Sequence, residues 1–211
     1  MQISQTIDLL RASLKEPLPG YTSHIKMAPN HRKMELMQTD FKKFKPKLSA
    51  VVILLFPEKE VLKISFIRRS NPVRMHPGQI AFPGGRYDEE DKDLQTTAMR
   101  EMQEEIGIHP DEVDILGSLT DLYVPPSNFI VRAYLAYMDK PPVFKLQPSE
   151  VQEVISLNLD AFNNPKHIKT KSFNSFNTNE TIDAPCFEIG ETVIWGATAM
   201  MLTELLDILN C

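Results

Sequence analysis

Apolar residues recur at Ile3, Ile7, Leu10 and Leu14, the spacing of one helix face, and Pro17, Pro19 and Gly20 end that segment. Polar residues and methionines then follow without a period to about Lys47. Within them Phe41-Lys42-Lys43-Phe44-Lys45-Pro46-Lys47 is a small basic run, read as a solvated connector with phosphate steering as the alternative. The continuous apolar run 50–56 predicts a buried strand, 57–60 a turn and 61–67 a second strand, together a hairpin. A loop rich in Arg, Pro, His and Gly covers 68–78, and 79–82 is a short strand that stops at Pro83-Gly84-Gly85. An acidic loop leads into a helix over Leu94–Ile106, closed by Gly107. Strands are expected at 113–119, 129–138 and 154–159. Residues 163–185 read as a polar, mobile loop, and an apolar helix is expected over 192–209. There is no internal repeat. The expected class is α/β (α+β), a mixed sheet sandwiched between helices. Residues 1–47 would form an N-terminal helix and connector packed on a domain spanning 48–211.

Composition narrows the function classes. The 211 residues are 42% hydrophobic and 24% charged, which suits one elaborated domain with a sizeable core. A net charge of -5 argues against non-specific binding to nucleic acid or a membrane surface. An acidic protein acting on an anion needs local positive charge, from arginine or from metal. Cys186 and Cys211 are too few for a disulfide framework or a zinc ligand set, and both read as free thiols in a reducing compartment. Met1-Gln2-Ile3-Ser4 lacks the layout of a signal peptide, and no apolar run has membrane-spanning length. The expected location is cytoplasmic.

The chemistry concentrates on the predicted helix. At about 100° per residue, Ala98, Met102 and Ile106 share an apolar face, with Met99 beside it. Glu101 and Glu105 share another face, with Glu104 on the same side. Like charges at this spacing cost a helix roughly 0.2–0.5 kcal/mol per pair. Arg100, four residues before Glu104, compensates one of them. A hard divalent cation would satisfy the others, whereas the bland reading is a solvated acidic face. Upstream, the Gly84-Gly85 turn permits close backbone approach, so that a carbonyl could ligate an ion or an amide could meet a phosphate.

Here the sequence resembles the Nudix hydrolase family, whose box reads G-x5-E-x7-R-E-U-x-E-E-x-G-U. Gly85 starts it and Arg100-Glu101-Met102-Gln103-Glu104-Glu105-Ile106-Gly107-Ile108 completes it. Asp91 stands at the first acidic position, and eight residues rather than seven separate it from Arg100. The segment Arg69-Ser70-Asn71-Pro72-Val73-Arg74-Met75-His76-Pro77-Gly78-Gln79-Ile80-Ala81-Phe82-Pro83-Gly84-Gly85 is similar to the signature of the coenzyme A pyrophosphatase branch, although Ser65-Phe66-Ile67 departs from it. Asp88 and Asp91 fit that branch's longer acidic loop. Val124-Pro125-Pro126-Ser127-Asn128-Phe129 and Ile194-Trp195-Gly196-Ala197-Thr198-Ala199 are similar to branch features too.

The resemblance implies a Nudix fold and water attack on a diphosphate clamped by Mg2+ or Mn2+. It makes Glu101 and Glu105 metal ligands, and Glu104 a ligand or a partner of one. Arg100 would orient Glu104, and the Gly84 carbonyl would be a further ligand. The activating base would be a box glutamate or a later acid, for which Glu150 and Glu153 are candidates. Arg68, Arg69, Arg74 and His76 could hold phosphates, the alternative being surface charge balance or support of the loop, with Gly84 and Gly85 close to the substrate. Tyr123 and Phe129 could line an adenine or pantetheine pocket but read more readily as core, and Trp195 reads as packing on the last helix. The implied substrate is a small nucleotide such as coenzyme A, cleaved to 4′-phosphopantetheine and adenosine 3′,5′-bisphosphate, with a homodimer left open. NADH, ADP-ribose, a dinucleoside polyphosphate, a nucleoside triphosphate or a sugar-nucleotide as substrate, or a non-catalytic binding module, are the alternatives.

Overall fold

The computed structural model describes residues 2–38, 40–70, 78–174 and 181–210. Helix α1 (Ile3–Ser13) forms where the apolar spacing predicts it, with Ile7 and Leu10 buried. The stretch expected to be a plain connector instead contains α2 (Tyr21–His24), α3 (Asn30–Gln38) and a 3-10 turn at Phe41–Phe44. Strands β1 (Lys47–Glu58) and β2 (Val61–Arg69) form the expected hairpin. Pairing continues through Glu58 and Val61, so the turn proper is Lys59-Glu60, both at positive φ (49° and 63°).

That hairpin sets up the site. β1 and β2 pair directly only from Leu55 to Glu58 and from Val61 to Ile64, and then splay apart. The chain from 80 to 86 enters the fork. β3 (Ile80–Ala81) pairs with β2, and β4 (Gly84–Arg86) pairs with β1 at Ser49, Ala50 and Val51. Pro83 completes the join by accepting a hydrogen bond from Val52 N–H at 2.8 Å. The Gly84-Gly85 turn therefore sits inside the sheet. Helix α4 (Leu94–Ile106) follows, its first turn capped by the Asp93 carboxylate and its last residue followed by Gly107 at φ 73°.

β5 (Asp114–Ser118) and β6 (Leu122–Val124) pair with β7 (Phe129–Tyr137), which runs parallel to β1, while β8 (Val151–Asn158) pairs with β2. A separate three-stranded sheet has the order β11-β10-β9, from β9 (Ile168–Asn174), β10 (Thr181–Ile189) and β11 (Thr192–Trp195). Helix α5 (Gly196–Leu209) ends the fold.

β1 is continuously apolar from Ala50 to Phe56 because both of its faces are covered there. Val52, Leu54 and Phe56 pack with Ala98, Met102 and Ile106 of α4. Ile53 and Leu55 point the other way, into the core that α1 and α5 share. Each such fully buried side chain contributes about 1.5–3 kcal/mol. The N-terminal segment is tied to this core by a polar network. Glu204 of α5, fully buried, accepts hydrogen bonds from His24 Nε2 (2.9 Å), Gly20 N–H (3.1 Å) and Thr120 Oγ1 (2.6 Å). Burial pushes its carboxyl up, but the bonds from His24 and Thr120 more than offset this and hold its pKa below the usual value.

Two expectations are corrected. Residues 163–185 are not a loop: β9 and β10 run through them, with 175–180 outside the described residues. β9 buries little, so its mostly polar, charged sequence carries no strand signal. The last helix begins at Gly196 rather than 192. Thr192 to Trp195 pair with β10, and Gly196 at φ 62° separates strand from helix. Among the described residues no helix is long and apolar enough to cross a membrane.

Candidate metal centre and substrate cavity

α4 lays its apolar face on β1 and thereby aims Glu101 and Glu105 at the Gly84-Gly85 turn. Gly84 N–H donates to Glu105 Oε2 at 2.8 Å. A Cβ on Gly85 would lie 2.4 Å from the Glu101 carboxylate, and one on Gly84 would lie 2.3 Å from the Ala50 carbonyl oxygen. Both glycines are thus required by close approach.

The third carboxylate arrives from the loop before β8. Glu150 is anchored by its own carbonyl, which accepts from Ser70 N–H at 2.9 Å. Glu101, Glu105 and Glu150 each offer an oxygen within 4.8 Å of the others. Glu105 is buried, Glu101 half-buried and Glu150 exposed. Burial pushes the Glu105 carboxyl up to about 8, against the opposing effects of the Gly84 amide and Arg69, whose Nη1 is 3.8 Å away. Burial also raises Glu101. Three hard oxygen donors, short of compensating charge and open to solvent on one side, fit a divalent cation.

Arg100 organises this face. Its Nε and Nη2 each donate to Asp91 at 3.0 Å, while Nη1 reaches Glu101 (2.9 Å) and Glu104 (3.2 Å). Asp91 also accepts from Thr97 Oγ1 and Asp88 N–H. The hydrogen bonds from Arg100, first among the causes, hold its carboxyl near 2 although burial opposes them. Asp91, whose role the sequence leaves open, therefore anchors Arg100. Glu104 is largely exposed and stands apart from the three-carboxylate group. Glu153, the other candidate base, is engaged by Arg68.

A cavity of about 600 Å³ opens beside the turn, lined by Arg69, Gly84, Gly85, Arg86, Tyr123 and Trp195 among others. Phe129 also lines it, and Tyr123 donates its hydroxyl to Asn128 Oδ1. Trp195 is a strand residue stacked on Phe173 at 4.0 Å, not a helix residue packed in the core. Arg74, His76 and Cys211 lie outside the described residues, while Cys186 is buried and free. Sequence reasoning missed Arg32 and Glu35 of α3, which also line the cavity. No period or motif in that polar stretch marks them.

Comparison with known proteins agrees with this geometry. The NUDIX domain family matches residues 45–175. Nudix hydrolase 22, chloroplastic, of Arabidopsis thaliana is 31% identical over 169 residues, covering 76% of this chain and 54% of its own. Peroxisomal coenzyme A diphosphatase NUDT7 of Mus musculus is 35% identical over 119 residues, 56% of this chain and 49% of its own. Peroxisomal coenzyme A diphosphatase ndx-8 of Caenorhabditis elegans is 32% identical over 157 residues, 72% and 64%. The chain spans about half the length of the first two. A crystal structure of a MutT/nudix family protein from Enterococcus faecalis shares the fold, with a TM-score of 0.51 at 17% identity over 83% of this chain and 71% of that one.

Proposed function

The chain belongs to the NUDIX domain family, and on that premise we propose that it is a divalent-metal-dependent pyrophosphohydrolase acting on coenzyme A or its derivatives. The observation that carries the reading is that Glu101 and Glu105 stand against Gly84-Gly85, two residues of the cavity lining, with Glu150 grouped beside the two carboxylates. Glu101 and Glu105 would hold Mg2+ or Mn2+, with Glu150 beside them. Such an ion, when bound, neutralises diphosphate oxygens and lowers the pKa of an attacking water.

The remaining work falls to the chain itself. The turn without side chains lets a diphosphate approach the backbone, and Arg69 and Arg86 bring positive charge to that end of the cavity. Arg100, fixed by Asp91, keeps Glu101 in place and draws Glu104 aside. Glu150, the most exposed of the three carboxylates, is placed to accept a proton from water. Attack at a phosphorus atom would release 4′-phosphopantetheine and adenosine 3′,5′-bisphosphate. The identities to two coenzyme A diphosphatases support this substrate class.

A panel of coenzyme A, its acyl and oxidised forms, NADH and ADP-ribose tests the proposal, with mass-spectrometric detection of products and with Mg2+, Mn2+ or chelator. Coenzyme A should be cleaved only with metal, and Glu101→Gln should abolish turnover. Cleavage of NADH or ADP-ribose with coenzyme A untouched would move the activity to another nucleoside diphosphate-linked substrate. Turnover surviving both substitution and chelation would refute the metal centre.

A further inference from the structure

The helix α3, outside the 45–175 family match, contributes His31, Arg32 and Glu35 to the lining of the cavity. Of these, Arg32 is buried. Nη2 donates to the Tyr123 carbonyl at 3.0 Å, which ties α3 to β6. Nε is buried and has no hydrogen-bond partner. The Glu35 carboxylate stands 3.4 Å from Nε without hydrogen-bond geometry, and it lines the same cavity. Burial lowers the pKa of Arg32, against the opposing effect of Glu35. A buried guanidinium N–H without a hydrogen-bond acceptor is costly, and a ligand acceptor would recover that cost.

The sheet fixes how far this cation lies from the turn. β4 pairs with one edge of β1, β7 with the other, and β6 with the far edge of β7. Gly85 is opposite Ala50, and Tyr123 opposite Ile130, so β4 and β6 are three strand spacings apart, roughly 14 Å. The cavity thus has the positive charge of Arg69 and Arg86 beside the turn, and a further guanidinium, Arg32, facing Glu35 on the α3 side. Apolar and aromatic groups such as Phe82, Met201 and Trp195 lie around it. A ligand that suits this layout carries its diphosphate at one end, an uncharged body between, and a second anionic group at the other.

We infer that Arg32 is a specificity-determining residue that receives a second phosphate of the substrate, a phosphomonoester on the nucleoside, through its Nε, which no hydrogen bond engages. This rests on the nucleoside diphosphate reading above. Glu35 opposes an anion on this side and so limits the site to ligands whose phosphate reaches the guanidinium fork directly.

Calorimetric binding of adenosine 3′,5′-bisphosphate and AMP to the whole chain tests it, because the two ligands differ only in the second phosphate. The unsubstituted protein should prefer the bisphosphate by about ten- to hundred-fold, the worth of a charge-assisted hydrogen bond. Arg32→Gln should erase the preference, weakening the bisphosphate about ten- to hundred-fold more than AMP. Equal weakening of both ligands would assign Arg32 to packing alone, and an undiminished preference would equally overturn the inference. Should Arg32→Gln fail to fold, Arg32→Lys decides: the charge survives but the fork does not, so a reduced preference upholds the inference and a full one overturns it. A preference lost in the variant without coenzyme A hydrolysis by the unsubstituted protein would refute the proposed activity and leave the Arg32 site standing. Hydrolysis with the preference intact in Arg32→Gln would do the reverse.

Discussion

Asp91 grips Arg100 by two hydrogen bonds of 3.0 Å, and the same guanidinium holds Glu101 at 2.9 Å. A carboxylate in a loop thus reaches the metal-facing side of α4 through one arginine. Asp91→Asn keeps the shape but loses charge and one acceptor, and should cost about 1–3 kcal/mol. The sign with pH follows from the depressed carboxyl, near 2 in the folded state. Its stabilisation is complete above the usual carboxylate pKa and disappears as pH falls through that value toward 2. Urea midpoints of the parent protein should therefore fall more steeply between about pH 4 and 2 than those of Asp91→Asn. Parallel acid limbs for the two proteins would contradict this account.

Gly85 is predicted to be irreplaceable for a different reason. Its backbone is not confined to the left-handed region, but any Cβ would strike the Glu101 carboxylate at 2.4 Å. The Glu101 side chain can swing away, so Gly85→Ala should fold, with a cost of about 1–3 kcal/mol. The displaced ligand is the larger consequence: misplacement by about 1 Å can cost on the order of 100-fold in rate. Steady-state kinetics beside thermal melting would separate the two effects, and a fully active Gly85→Ala would be incompatible with the geometry.

Metal removal should have a pH signature. Glu105 is pushed up to about 8, chiefly by burial. Since its folded-state pKa lies above the unfolded value, the chelated protein should lose stability as pH rises toward about 8. A divalent cation compensates the ionised group, so the rise in Tm on adding Mg2+ or Mn2+ should grow over the same interval. In Glu105→Gln the pH trend and the metal response should both flatten. A metal-induced shift of equal size at about pH 5 and 8 would count against Glu105 as a ligand.

The parts of this fold that were readable in the sequence are those where local chemistry and tertiary burial agree. β1 shows as a continuous apolar run because both faces are covered, and α4 shows through its apolar face, the Glu101 and Glu105 spacing and Gly107. β9 did not show, because an almost uncovered strand needs few apolar residues. β11 did not show because Val193 and Ile194 extend the apolar run of α5, and only Gly196 divides them. For the site, Glu101, Arg100 and Glu105 share one helix and could be read together. Glu150 could be named but not placed, since it meets them only through β8 pairing with β2. Arg32 had no local signal, and only the tertiary fold brings it to the cavity.

The His24–Glu204 pair gives the N-terminal segment a second meaning. Removing only residues 1–44, which precede the family match, would strip Glu204 of its donors from His24 and Gly20 and leave a carboxylate enclosed in the core, a change costly to folding. The same cut would remove α3 and its part of the cavity lining. Modularity therefore stops short of the family boundary in this protein. The segment that distinguishes ligands is also a keystone of the domain, so its selectivity cannot be transplanted without rebuilding the packing beneath α5.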